Sequence, residues 1–179
     1  LIQCVFPLRL VGQIMKEFLL TDSDFKNISS QVYDACGIVL AEHKREMVYS
    51  RLARRLRLLK LKSFKDYLAF LEEHKEREFS EFINAITTNL TSFFREPHHF
   101  NYLKNTIVPR LLTTNAKQKR VRVWSAGCST GEEPYTIAMT LSGLFPTNWD
   151  VKILATDLDS NVLAKAQAGT YTAANVNGL

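Results

Sequence analysis

From Thr21 to about Asn89 the apolar positions recur with a helical period. Phe25, Ile28, Val32, Tyr33 and Cys36 follow the cap candidates Thr21-Asp22-Ser23-Asp24 and stop at Gly37, which predicts an amphipathic helix. In His43 to Lys60, Val48, Leu52, Leu56 and Leu59 share one helix face, while Arg51, Arg54, Arg55 and Arg57 cluster over the opposite side. Ser63 with Asp66 forms a capping box with Asp in place of Glu, opening a helix whose core side is Phe64, Tyr67, Leu68 and Leu71. Phe79, Phe82, Ile83 and Ile86 mark one more helix, ending near Thr87-Thr88-Asn89. A small helical domain over residues 21–89 is expected, after an extension over 1–20 of uncertain organisation.

Beyond it the period changes. Pro97 is placed as the first residue of a helix carrying Phe100, Leu103, Ile107 and Leu111, which runs out in the polar stretch Thr113 to Lys119. Residues 90–119 are thus a junction segment and a linking helix. Strand, turn, helix, strand, helix then follow: Val121 to Ala126, Glu133 to Phe145, Val151 to Thr156 and Asn161 to Ala168. Residues 120–179 predict a doubly wound α/β unit with a parallel sheet. Two parallel strands leave most of a sheet face and both edges uncovered, so the expectation is a partial domain.

Composition adds limits. Of the 179 residues 46% are hydrophobic, enough for a packed core, and no run of about 18 apolar residues suggests a membrane span. Leu1 to Leu20 is broken by Gln3, Pro7, Arg9, Gln13 and Lys16 and lacks the layout of a signal peptide; Met15 before Lys16-Glu17-Phe18 resembles a natural start, with 1–14 upstream of it. Cys4, Cys36 and Cys128 are odd in number and widely spaced, against both a disulfide framework and a zinc site, and fit a reducing cytoplasm. The net charge of +5 points to an acidic partner. The densest positive segment is His43 to Lys60, where Arg51, Arg54 and Arg57 form a ladder that is either a solvated helix face or a docking surface. Nucleic acid is disfavoured because no aromatic residues interleave with the ladder.

The chemistry concentrates in VRVWSAGCSTGEE, Val121 to Glu133, which has the form of a buried strand, a small-residue turn and an acidic helix start. Gly127, Cys128, Ser129, Thr130 and Gly131 keep the turn slim enough for a ligand to lie against the backbone. The second strand ends in Thr156-Asp157-Leu158-Asp159, an acidic tip suited to ribose hydroxyls. The spacing is G-x-S-x-G rather than G-x-G-x-x-G, and Glu132 and Glu133 follow at once. A pyrophosphate would meet like charge there, whereas the sulfonium of S-adenosylmethionine would be favoured. A dinucleotide site and a tight turn without ligand stay open as alternatives. Upstream, NLTSFFREPHHF offers hydrogen-bonding Asn89 and Thr91, adenine-sized surface in Phe93 and Phe94, and in Arg95 a forked cation able to grip a carboxylate. Core packing of both Phe residues and pairing of Arg95 with an acid such as Glu96 is the bland alternative. His98 and His99 are expected on different sides of a helix, against a shared metal.

TTNLTSFFREPHHF, WSAGCSTGEEPYTIAM and ATDLD, in this order and together with HKREMVYSRL, closely resemble the CheR-type chemotaxis receptor methyltransferases, from about Thr21 to Leu179. The resemblance implies a helical domain followed by the first half of a Rossmann-like S-adenosylmethionine-dependent domain. It implies methyl transfer to glutamate side chains on the cytoplasmic methylation helices of chemoreceptors, with S-adenosylhomocysteine as product. It places Asn89, Thr91 and Arg95 near the donor, with Arg95 catalytic, Gly127 and Gly131 in the donor turn, and Glu132 and Glu133, the latter in particular, close to it. It has Asp157 hold the ribose, and Arg51, Arg54 and Arg57 face the receptor helices. A cytoplasmic monomer that neither enters the membrane nor binds nucleic acid is expected. Members of the family continue beyond the position of Leu179, through strands that complete the sheet and contribute an active-site tyrosine. As a fragment the chain would be inactive alone, and a chain serving only to dock on receptors is the competing expectation.

Overall fold

The structure, a computed structural model, describes residues 16–179. The expectations about residues 1–14, Met15 and Cys4 lie outside the described residues. Contacts divide the chain into two units, Leu1–Glu73 and His74–Leu179.

In the first unit, α1 (Asp22–Cys36) opens on a reciprocal cap. The Asp24 amide donates to Thr21 Oγ1 and the Thr21 amide to Asp24 Oδ2, each at 3.1 Å. Its buried stripe is Phe25, Ile28 and Val32, and Tyr33, expected in the same stripe, is instead 58% exposed. Adjacent helical positions differ by about 100°, so with Val32 fully buried its neighbour turns to solvent. A short 3-10 turn (Glu42–Lys44) leads into α2 (Arg45–Leu59), whose Val48, Leu52 and Leu56 are fully buried. Arg45 fixes the entry to α2, donating to Asp22 Oδ1 at 2.8 Å and Glu42 Oε1 at 2.5 Å with its guanidinium 4.6 Å above the Phe25 ring. The Glu42 contact first, and Asp22 after it, hold its pKa above the ordinary value against partial desolvation. In α3 (Phe64–Glu73), Phe64 and Tyr67 are fully buried and Leu71 nearly so. Each such side chain contributes about 1.5–3 kcal/mol of apolar burial.

The second unit starts with α4 (Lys75–Ile86). A long helix follows in three stretches: α5 (Pro97–Tyr102), a π-helical turn (Leu103–Ile107) and α6 (Val108–Thr114). The π turn has a local cause, because Pro109 lacks an amide hydrogen and its ring would crowd the carbonyl one turn earlier. β1 (Arg120–Ala126) pairs parallel with β2 (Asp150–Thr156), from Arg120 opposite Asp150 to Ala126 opposite Thr156. Between them runs α7 (Glu132–Leu141), shorter than expected because the chain turns at Ser142-Gly143, and after β2 comes α8 (Ser160–Ala168), then α9 (Ala173–Val176).

The unit's core is Val108, Ile137 and Leu141 with Phe100, Leu103, Val123, Val151 and Ile153 around them. Only one sheet face is covered. β1 alternates exposed and buried instead of being buried throughout, and Trp124 and its partner Leu154 are 67% and 60% exposed. With helix α7 on one face and no second layer among the described residues, the other face stays in solvent. The fold is therefore an all-α unit and the opening part of a Rossmann-like α/β domain. Among the described residues no helix is long and apolar enough to cross a membrane.

Candidate functional site

The parallel register brings the end of β1 to the end of β2. The amides of Gly127 and Cys128 both donate to Thr156 O, at 2.8 and 2.9 Å, so the chain leaves the sheet as a tight turn over the β2 tip. Gly127 (φ +81°) and Gly131 (φ +100°) take the left-handed region, as does Ser129 (φ +49°), where a side chain is uncommon and strain of about 1–2 kcal/mol is stored.

Four residues close a ring of hydrogen bonds beneath this turn. The Ser129 amide donates to Asp157 Oδ2 at 2.7 Å, and Asp157 Oδ1 accepts the Asp159 amide at 3.0 Å. Asn89 Nδ2 donates to Asp159 Oδ2 at 2.6 Å, and Ser129 Oγ donates to Asn89 O at 3.1 Å. Thus the Gly127–Gly131 turn, the β2 tip and the start of the junction segment form one framework. Asp159 is buried, accepts Thr87 Oγ1 at 3.3 Å and caps α8 through the amides of Asn161 and Val162. Asp159, part of the acidic tip, thus holds the framework together. Its place in the sequence is the cap position ahead of the helix that buries Val162.

The two glutamates separate. Glu132 is buried and accepts Thr130 Oγ1 at 2.6 Å, whereas Glu133 is exposed and accepts the hydroxyl of buried Ser125 at 2.7 Å. Two neighbouring groups report the negative field they create with Asp157. Burial, then Asp157 and Glu133, push the Cys128 thiol up. Burial, then Glu132, push Tyr171 up to about 12. Anions are disfavoured in such a field, while cations and hydroxyl donors are favoured.

Arg95 and Thr91 stand apart from the ring. Arg95 is exposed, flanked by left-handed Phe94 (φ +50°) and Glu96 (φ +58°), and its Nη1 donates to Leu90 O at 2.9 Å, leaving the outer edge of the guanidinium facing solvent. Among the described residues neither Arg95 nor half-buried Thr91 hydrogen-bonds the turn. The junction is attached through Asn89 and through the Phe94 amide, which donates to Thr136 Oγ1 at 3.2 Å. Phe93 meets Tyr171 edge-on at 4.8 Å, and Phe94 meets Phe100 at 5.8 Å. His98 and His99 do not diverge; their rings lie 4.1 Å apart, because both tip outward at the exposed first turn of α5.

The ladder is in the first unit. Arg51 is half-buried, Arg54 exposed, and Arg57 Nε donates to Glu17 Oε2 at 2.7 Å.

A parallel strand-turn-helix-strand unit with an acidic second tip and a turn in a negative field defines the class, a Rossmann-like nucleotide-type domain suited to a cationic donor. The family follows from comparison. The model for "CheR methyltransferase, SAM binding domain" matches residues 89–179, and that for "CheR methyltransferase, all-alpha domain" matches 23–87. The chain is 48% identical over 168 residues to a chemotaxis protein methyltransferase of Escherichia coli, covering 90% of this chain and 55% of that protein. The one from Salmonella typhimurium is 47% identical over 89% of this chain and 54% of its own length, and that of Borreliella burgdorferi 42% over 85% and 56%. The chain belongs to the CheR methyltransferase family, and it spans about half the length of the curated relatives it matches. S-adenosylmethionine is the ligand of the domain so matched.

The residues present fit that ligand. A Cβ built on Gly127 meets nothing within 4 Å, so the outer side of the turn is open to a bound molecule. The carboxylates at hand offer acceptors for ribose hydroxyls and a favourable field for a sulfonium.

Proposed function

We propose that the protein containing these residues transfers a methyl group from S-adenosylmethionine to glutamate side chains of bacterial chemotaxis receptors in the cytoplasm. The observation that carries this reading is the match of the S-adenosylmethionine-binding family domain to a turn bordered by Glu132, Glu133 and Asp157. Asp157, with each oxygen taking one backbone amide, keeps lone pairs for ribose hydroxyls. Glu133 and Glu132 set the potential around the donor. When bound, S-adenosylmethionine supplies a methyl group activated by a positive sulfonium. A glutamate is ionised near neutral pH, so no strong general base is needed from the chain. Arg95 orients the incoming carboxylate with its unused donors, and the donor turn and junction hold the reacting groups in line. Calorimetric titration tests the ligand class. S-adenosylhomocysteine is expected to bind and NAD not to; binding of NAD alone would overturn the reading. Labelled methyl transfer to receptor-bearing membranes, compared between this chain and a longer version, tests whether these residues suffice.

The basic face of α2 is the proposed receptor contact. Charge reversal at Arg51, Arg54 and Arg57 together should lower receptor methylation roughly tenfold or more while leaving the Kd for S-adenosylhomocysteine unchanged. Because Arg57 pairs with Glu17, the triple variant is compared with Glu17→Ala, which should leave methylation near wild type. Undiminished methylation would return this face to plain solvation. A chain that only docks on receptors would bind receptor-bearing membranes with no affinity for the donor.

A further inference from the structure

We propose that Tyr171 is a positioning residue of the methyl-donor site, locking the donor turn to the junction segment that carries Arg95. The inference rests on the methyl-donor reading of that turn.

Tyr171 follows α8 and lies before α9, in a stretch with no helical or strand hydrogen bonds of its own. Its hydroxyl donates to Thr130 O at 2.8 Å, within the turn itself. Its ring meets Phe93 at 4.8 Å and 77°, and Tyr135 of α7 at 5.8 Å and 83°, both edge-on arrangements favourable for aromatic pairs. One side chain therefore touches the donor turn, the helix that follows it, and the residue two positions before Arg95. The backbone has been shaped around this contact. A Cβ on Gly131 would sit 2.6 Å from the Tyr171 hydroxyl, so glycine makes room for it. Burial, then nearby Glu132, raise the Tyr171 pKa to about 12; at neutral pH the hydroxyl is protonated, as any tyrosine is, and free to donate. Asn89 ties the start of the junction segment to the turn, and Tyr171 ties it again four residues on, through Phe93. With both in place, the separation between the donor and the Arg95 region is fixed from two sides.

Tyr171→Phe keeps the ring and removes the hydrogen bond; Tyr171→Ala removes both contacts. In the full chain, Tyr171→Phe is expected to raise the Kd for S-adenosylhomocysteine about 5- to 10-fold with Tm nearly unchanged, and Tyr171→Ala to raise it further. Phe93→Ala added to Tyr171→Ala should weaken binding little more, since the two act through one contact. In alkaline ultraviolet titration, the tyrosine ionising near 12 should be missing from Tyr171→Phe. Wild-type affinity in Tyr171→Phe, or a loss that only follows a fall in Tm, would overturn the inference and leave the methyl-donor reading standing. A wild-type chain that binds no S-adenosylhomocysteine would overturn both.

Discussion

Gly131→Ala is expected to lower the Tm by roughly 5–15 °C and to abolish measurable S-adenosylhomocysteine binding. Two costs add. The position has φ +100°, where a Cβ is strained by about 1–2 kcal/mol. The new methyl would also lie 2.6 Å from the Tyr171 hydroxyl, 2.9 Å from Ala166 Cβ and 3.0 Å from Ala166 Cα. The hydroxyl can swing away only by giving up Thr130 O, and Ala166 sits on the backbone of α8 and cannot yield; overpacking of this kind costs about 1–3 kcal/mol. Gly127→Ala is the control, because it shares the left-handed conformation (φ +81°) but meets nothing within 4 Å. It should lose only the backbone contribution in stability while still blocking the ligand. Thermal unfolding followed by circular dichroism separates the two, and equal Tm values for both variants would show that the contact with α8 and Tyr171 carries no energy.

How far the sequence disclosed the site depends on how local each interaction is. The strand-turn-helix of residues 120–141 was legible because β-branched alternation, clustered small residues and an acidic helix start all act over a few positions. The end of α7 was misplaced because Leu144 and Phe145 continue the apolar pattern past Ser142-Gly143, and they pack on the same core from a turn. Trp124 shows another limit: an aromatic strand residue signals burial only if something covers its face, and that depends on other layers. Tyr171 carried no signal at all, being a lone aromatic between polar positions, and its partner Thr130 is 41 residues away. Asp157 and Asp159 stand two positions apart in the acidic tip, and only the folded register shows that one faces the turn and the other faces Asn89. The His98 and His99 rings lie side by side because the first turn of α5 is exposed, and helical spacing alone does not fix side-chain rotamers there.

Asp157→Ala should weaken S-adenosylhomocysteine binding on the order of 100-fold or more, a larger loss than removal of either glutamate. Each hydroxyl-to-carboxylate hydrogen bond contributes about 1.5–3 kcal/mol, and losing two of them is sufficient for such a change. The substitution also removes the acceptor of the Ser129 and Asp159 amides, in a place where Ser129 and Asp159 are both buried. An unsatisfied buried amide costs about 1–3 kcal/mol, so Asp157→Ala mixes lost recognition with a loosened turn. Asp157→Asn separates them, because its one carbonyl oxygen can still take the Ser129 amide while the negative charge is gone. If Asp157 recognises ribose through its charge, Asn should bind S-adenosylhomocysteine at least about 10-fold more weakly than wild type with a Tm well above that of Ala. If Asp157 only braces the turn, Asn, which takes the Ser129 amide but sets its NH2 against the Asp159 amide, should recover affinity and Tm together, each only in part. In that case the ribose contact would pass to another acidic group of the turn, with exposed Glu133 the next to replace. The ring makes a further demand on the same data. Asn89 reaches the turn through Asp159, so Asn89→Ala should reduce affinity in the wild-type background and have a smaller effect once Asp157 is Ala, since the framework it joins is then already open.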